Sequence, residues 1–363
     1  MPATALGYLD VILLICTEFI MNNPSISLIV PVYNVGTYIG SCLESIKAQS
    51  YKGSLECLII DDCGTDDSMA IVNQFLSSYK GSIDFRIISQ GTNKGLAAAR
   101  NSGLDNAIGD YVLFLDSDDE VTPDSIEVLT KPIADHDYDM VIGDFIISGS
   151  YRFKEVLKLP DGPINGNSAV MDTKTKNMWY QMAVNKLYNK SFLNKNGLRF
   201  KEGIIHEDEL WSDEIACLAN DIYVVKQPTY LYKIREGSIT TASNVMERVR
   251  SLNIIVHEFY CFMERWGLRS SFRANNLLQS LFSMPTWEVF RNNPDGFKKE
   301  YYDLRAIVVK PPKSYLRING FHIRQQVRDL HLMMPKKIGS RCYYTYCTIN
   351  ERYYTLKQSS KKR

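Results

Sequence analysis

No two cysteines stand in C-x-x-C spacing, although the chain has eight, at positions 16, 42, 57, 63, 217, 261, 342 and 347. That absence weighs against a thiolate metal centre and against a dense disulfide framework, so reduced thiols are expected. Long apolar runs are missing too. Leu6 to Met21 is apolar near the N-terminus, but Asp10 and Glu18 interrupt it and leave only Val11 to Thr17 without a charge. A bilayer needs about 20 such residues, and no basic segment precedes this one as a secretory signal would require. Residues 1–24 are therefore expected to be an extension outside the folded core. Met21 is an alternative start, because a recognisable domain begins at Ser25. Internal repeats are also absent.

A strong net charge is lacking as well: 363 residues, 45% of them apolar and 23% charged, sum to +1. This is ordinary for a soluble globular chain of one large domain plus an appendage, or two modest domains. The balance hides an asymmetry. Residues 301–363 hold 14 Lys or Arg against Asp303, Asp329 and Glu351, a net of +11, which leaves about −10 for residues 1–300. A basic, Tyr-rich tail on an acidic body suits an anionic membrane surface or another acidic polymer. A solvated, disordered end is the plain alternative.

From Ser25 to Ile147 short apolar runs alternate with amphipathic stretches. The runs are Ile26–Val32, Leu55–Ile60, Phe85–Ser89, Tyr111–Leu115 and Met140–Ile147. Several are continuous rather than alternating, as in strands covered on both faces. Helices are expected near 37–49, 66–79, 95–107 and 123–134, the last opened by Pro123 in a first-turn position. Strand–helix alternation of this kind predicts a doubly wound, mostly parallel α/β sheet with helices on both faces. Ligands then bind beyond the carboxyl ends of the strands. Further on we expect a loop-rich stretch to about 176, helices near 177–184, 190–196 and 208–219, and extended segments at 222–225 and 230–234. Helices at 246–266 and 271–290 follow, with no firm structure predicted beyond them. Trp266, Phe272, Trp287 and Phe290 are expected to form the core of this helical appendage, a membrane-facing surface being the alternative.

Polar residues collect where strands end. Pro31-Val32-Tyr33-Asn34 closes the first strand, Asp61-Asp62-Cys63-Gly64-Thr65-Asp66-Asp67-Ser68 the second, and Asp116-Ser117-Asp118-Asp119 the fourth. Acids placed directly after a buried strand are costly unless a cation or hydrogen-bond donors satisfy them. Clustered carboxylates select hard cations such as Mg²⁺ or Mn²⁺. Asp66, two residues before Ser68, reads as a helix cap, and Cys63 as a packed thiol.

These stretches resemble the nucleotide-binding half of family 2 glycosyltransferases, the large inverting family with a GT-A fold. The resemblance rests on Ser27-Leu28-Ile29-Val30-Pro31-Val32-Tyr33-Asn34, Leu58-Ile59-Ile60-Asp61-Asp62, the run Asn93-Lys94-Gly95 to Gly103-Leu104, and Gly109-Asp110 through Asp119. Four motifs in order over about 120 residues carry it. It implies a GT-A domain over 25–245, with the donor half at 25–147 and the acceptor half at 148–245; the helical, basic and aromatic region at 246–363 lies outside the resemblance. Pro31 and Tyr33 would border the base, with Asp62 accepting from a uracil ring. Asn93 and Arg100 would line the base and diphosphate, Asp116 would face the ribose and metal, and Asp118 would ligate the divalent cation. One departure stands out: the family usually has Gly-Ser where Cys63-Gly64 stand here, which puts the local turn in question.

The resemblance continues more loosely through Asn185-Lys186-Leu187-Tyr188, His206-Glu207-Asp208-Glu209 and Tyr230-Leu231-Tyr232-Lys233. It implies that a carboxylate here takes the acceptor's proton: Asp208, with Glu207 as alternate. His206 would reach the pyrophosphate or cap a helix, and Arg235 would neutralise the departing diphosphate or join a surface ion pair. The implied partners are a nucleotide-sugar donor, probed first as a UDP-sugar, and a glycan or lipid-linked acceptor, with cytoplasmic, peripheral-membrane placement and no nucleic acid. A phosphatase of the Asp-x-Asp type also shares Leu115-Asp116-Ser117-Asp118, but that motif normally ends a first strand, and Glu120 stands where it carries Thr or Val. A catalytically inactive sugar-nucleotide binding module is the other alternative.

Overall fold

The structure is a computed structural model, and it describes residues 23–148, 157–234, 244–308 and 328–359. The expected extension at 1–24 lies almost wholly outside them, as does Arg235. Contacts divide the chain into two compact units that interleave in sequence: Met1–Val170, Met178–Gly203 and Leu218–Arg235 form one, and Met171–Asn177, Ile204–Cys217 and Glu236–Arg363 the other.

The first unit is built on a sheet. Its strands are β1 (Ile26–Val32), β2 (Leu55–Asp61), β3 (Asp84–Ser89), β4 (Tyr111–Phe114), β5 (Glu120–Val121), β6 (Met140–Ser148), β7 (Gly162–Asn165), β8 (Lys186–Asn189) and β9 (Asp221–Lys233). They run in the order β3-β2-β1-β4-β8-β6-β9-β5, with β7 also on β9. β3, β2, β1 and β4 are mutually parallel, and β6 and β9 pair in parallel. β8 lies antiparallel between β4 and β6, so the parallel ladders hold most of the paired residues.

All seven residues of β1 are buried, which is why its sequence reads as one apolar run. Helices α1 (Gly36–Lys47), α2 (Ser68–Ser78) and α3 (Leu96–Asn106) follow the first three strands. α3 packs on β1 and β2, and its small residues permit close approach. A Cβ on Gly103 would come within 2.3 Å of Ile29 Cγ2, so only glycine fits at that crossing. The short α4 (Ser125–Thr130) follows β5, and α6 (Lys190–Lys195) is capped by Asn189, whose Oδ1 accepts from Phe192 N–H at 3.0 Å.

One expected helix is wrong. Residues 177–184 are irregular, and the helix, α5, lies earlier at Asn167–Thr175. Trp179 and Tyr180 are buried by tertiary packing rather than by helical periodicity. Tyr180 donates its hydroxyl to the carbonyls of Gly143 (2.9 Å) and Asn185 (2.7 Å). The two extended segments expected at 222–225 and 230–234 are one strand, β9.

The second unit is helical, with α7 (Glu207–Leu218), α8 (Val245–Arg265), α9 (Phe272–Asn292), α10 (Phe297–Ile307) and α11 (Lys336–Ser359). α8 buries Leu252, Ile255, Val256, Phe259, Phe262 and Met263, a helical stripe. The aromatics expected in this core are displaced from it. Trp266 is 38% exposed, and Phe272, Trp287 and Phe290 are only partly covered. Phe259, Phe282, Phe297, Tyr301 and Tyr343 fill the interior instead, because they share the inward-facing stripes. His331 sits among them, accepting from the Tyr301 hydroxyl or donating to it at 2.8 Å. Burial, then the nearby Arg305 and Arg328, push its pKa down to about 2, so it stays neutral. Asp213 of α7 pairs with Lys174 of α5 at 3.5 Å, both side chains at most 3% exposed. Burial raises the Asp213 pKa to about 6 against the pull of Lys174. Among the described residues no helix is long and apolar enough to cross a membrane.

Candidate active site

The chain runs outward from β1 to β2 and β3, then returns to place β4 on the other side of β1. Ligands of open α/β sheets bind at such a reversal, beyond the carboxyl ends of the strands, here β1 and β4. Tyr33 leaves the end of β1 with 44% of its surface exposed, next to buried Pro31.

The turn after β2 is braced from several sides. Asn34 and Cys63 both have left-handed backbones, with φ of 52° and 56°. Asn34 Oδ1 accepts from Thr65 N–H at 2.7 Å, and a Cβ on Gly64 would meet the Asn34 nitrogen at 2.9 Å. The turn thus survives the departure from Gly-Ser: Cys63 takes up the left-handed position at a cost of about 1 kcal/mol. Asp66 is not the N-cap of α2, which is Asp67 with no side-chain cap bond. One position earlier, Asp66 accepts from Ser68 N–H (3.1 Å) and Ser68 Oγ (2.6 Å) and, across the turn, from Gly36 N–H (2.8 Å) at the start of α1.

Asp62 points inward and is 3% exposed. Its Oδ1 accepts from Gln90 Nε2 and Lys94 N–H, both at 2.7 Å, and its Oδ2 from Gly95 N–H at 3.0 Å. These bonds occupy most of its roughly four lone-pair sites, so in this structure it fixes the Lys94–Gly95 turn that starts α3. Exposed Asn93 supports the same turn, accepting from Gly95 N–H at 3.0 Å.

Arg100 projects from α3, 3% exposed, and its guanidinium donates to Asp116 Oδ1 at 2.9 Å while lying 5.3 Å from the Phe200 ring centroid. It thereby anchors the acidic loop after β4. Asp116, Asp118 and Asp119 each turn a carboxylate oxygen into one cluster within 4.8 Å. Asp116 and Asp118 are partly open, and Asp119 is 1% exposed. Burial, reinforced by the charges of Asp116 and Asp118, raises the Asp119 pKa to about 8. Three crowded oxygen donors repelling one another fit a hard divalent cation.

Sequence reasoning gave no role to Asp119 or to Tyr230. Asp119 was visible as the fourth residue of the acidic run. Tyr230, wholly buried on β9, carries no local signal, because strand pairing alone brings it to this loop.

Glu207 and Asp208 open α7, in the second unit. Glu207 is 6% exposed and Asp208 half-buried. His206 precedes them with φ 63°, and its carbonyl accepts from Glu209 N–H at 3.1 Å. Three acids in a first turn complement the helix dipole.

Comparison with known proteins agrees with this architecture. Residues 27–197 match the family model described as Glycosyl transferase family 2. GlyA of Streptococcus pneumoniae serotype 4 is 32% identical over 228 residues, 60% of this chain but only 32% of that protein. GlyG of the same organism is 30% identical over 59% of this chain and 72% of its own length. The crystal structure of S. aureus TarS 1–349 in complex with UDP-GlcNAc superposes with a TM-score of 0.71 at 19% identity, covering 90% of this chain and 92% of that one. This chain belongs to the family 2 glycosyltransferases.

Proposed function

We propose that the chain is an inverting transferase that moves a sugar from a nucleoside diphosphate donor, a UDP-sugar first, to a hydroxyl of a glycan or lipid-linked acceptor in surface polysaccharide assembly. The convergence of Asp116, Asp118 and Asp119 carries this reading, and the UDP-GlcNAc bound to TarS supports the choice of donor. Residues 25–245 make up the catalytic region in this reading, and 246–363 the appendage.

Asp116 and Asp118 hold Mn²⁺ or Mg²⁺. A cation held there would supply positive charge to stabilise the departing diphosphate. Tyr33 and Pro31 border the base, Asn93 and Arg100 lie toward the diphosphate, and Asp62 secures the turn beside it. Asp208 accepts the acceptor hydroxyl's proton, with Glu207 as alternate, and His206 and Arg235 serve the pyrophosphate. The first turn of a helix favours negative charge through the helix dipole, and a general base acts on a hydroxyl within hydrogen-bond reach.

A thermal-shift screen of nucleotide sugars with and without Mn²⁺ tests the donor. Stabilisation by one UDP-sugar only when Mn²⁺ is present supports the proposal; equal response to all nucleotides, or none, contradicts it. A peripheral position on the inner face of the cell membrane fits the exposed side of α11. There Ile338, Ile349 and Tyr353 (53, 61 and 44% exposed) lie among Lys336, Lys337, Arg341 and Arg352. Flotation with anionic liposomes should be lost on combining Ile338→Asp with Lys337→Glu; unchanged flotation removes the idea.

A further inference from the structure

We infer that Tyr230 is a positioning residue for the cation site, acting through Asp119 and the backbone of Asp116 rather than touching the metal. This rests on the reading of Asp116 and Asp118 as the ligands. The sequence places Tyr230 far from the acidic loop, but β5 and β9 pair antiparallel with Val121 opposite Tyr230. That register brings the phenol beneath the residues between β4 and β5.

The Tyr230 hydroxyl then makes two bonds with opposite roles. It donates to Asp119 Oδ2 at 2.8 Å and accepts from Asp116 N–H at 3.3 Å. Asp119 Oδ1 is held by Lys233 N–H, also on β9, at 2.8 Å. Both oxygens of Asp119 are thus engaged by one strand, and its side chain is 1% exposed. Asp119 works as a strut that ties the loop to β9, while Arg100 fixes Asp116 from the side of α3. The ring cannot drift, since it is fully buried and packs edge-on against Phe145 at 5.3 Å. Groups that orient metal ligands in this way typically govern affinity by 10–100-fold.

The test measures Mn²⁺ affinity by electron paramagnetic resonance of the free ion and, separately, UDP affinity in EDTA. Tyr230→Phe should weaken Mn²⁺ by roughly tenfold or more while UDP affinity in EDTA stays within about twofold. The same change in an Asp119→Asn background should cost far less, because the anchored carboxylate is gone. Because Tyr230→Phe leaves a buried carboxylate short of a donor, two isosteric replacements guard against misfolding. With 4-aminophenylalanine at position 230, which still donates, Mn²⁺ affinity should be kept, and with 4-methylphenylalanine it should be lost. Unchanged Mn²⁺ affinity in folded Tyr230→Phe, additive losses in the double variant, or parallel loss of UDP affinity each overturn the inference. Intact Mn²⁺ binding in Asp118→Asn would instead show that the metal site itself lies elsewhere.

Discussion

The chain carries two acidic clusters built on opposite principles. Asp116, Asp118 and Asp119 crowd together where a fully buried strand ends, held by Arg100, Tyr230 and the Lys233 amide. Glu207, Asp208 and Glu209 instead occupy the first turn of α7, where the helix's own amides favour negative charge. The first cluster gathers three carboxylate oxygens in a geometry that fits a divalent cation. Backbone context thus decides how the same side chain is held, by surrounding donors in the first cluster and by a helix dipole in the second.

Breaking that contrast gives the largest effects. Asp118→Asn should lower kcat/KM by about a thousandfold, since a cation held there would supply several kcal/mol of charge stabilisation, and extra Mn²⁺ should restore little. Asp208→Asn should cut kcat by roughly a hundredfold or more while leaving donor affinity intact, as expected for loss of a general base alone. Steady-state kinetics with donor binding by calorimetry separates the two, and equal loss of donor affinity in both variants would erase the distinction.

Smaller effects sharpen it. Lys174→Met leaves Asp213 buried without its cation and should destabilise the helical unit by about 3–5 kcal/mol, measured by urea denaturation. A pH series addresses the crowded cluster directly. Because the folded-state pKa of Asp119 is raised to about 8, its contribution to stability is complete below about pH 4 and is lost as pH climbs through 8. Glu214, raised to about 8 by burial and only partly offset by Arg265, acts in the same sense. In EDTA, Tm should fall between pH 5 and 8, and Asp119→Asn should shrink that fall. The smallest change is Cys63→Gly, which relieves a left-handed φ of 56° and should raise stability by about 0.5 kcal/mol once glycine's extra chain entropy is counted.

The sequence was most legible where burial is continuous. β1 lies at the expected Ile26–Val32, and β2 and β4 lie within a residue of expectation at each end, because strands covered on both faces are apolar at most positions. β3 and β6 lie as close to expectation although β3 has no buried residue and β6 is buried only at its first four. Asp116 and Asp118 were legible because acids after such strands are conspicuous. Tyr230 was not, since its place depends on pairing between β5 and β9, over 100 positions apart in the chain. The segment at 177–184 is irregular, its Trp179 and Tyr180 buried by tertiary packing, while the helix α5 lies at Asn167–Thr175. α11 was missed because its Tyr- and Thr-rich sequence has modest helix propensity; Tyr343 and Cys347, buried four residues apart, give it a packing face.

Calorimetric titration of UDP into the protein, with Mn²⁺ and with EDTA, for the native chain and Asp118→Asn, tests the central claim most directly. The account predicts that Mn²⁺ tightens UDP binding at least tenfold in the native chain and hardly at all in Asp118→Asn. Equal tightening in both would place the cation elsewhere and contradict it.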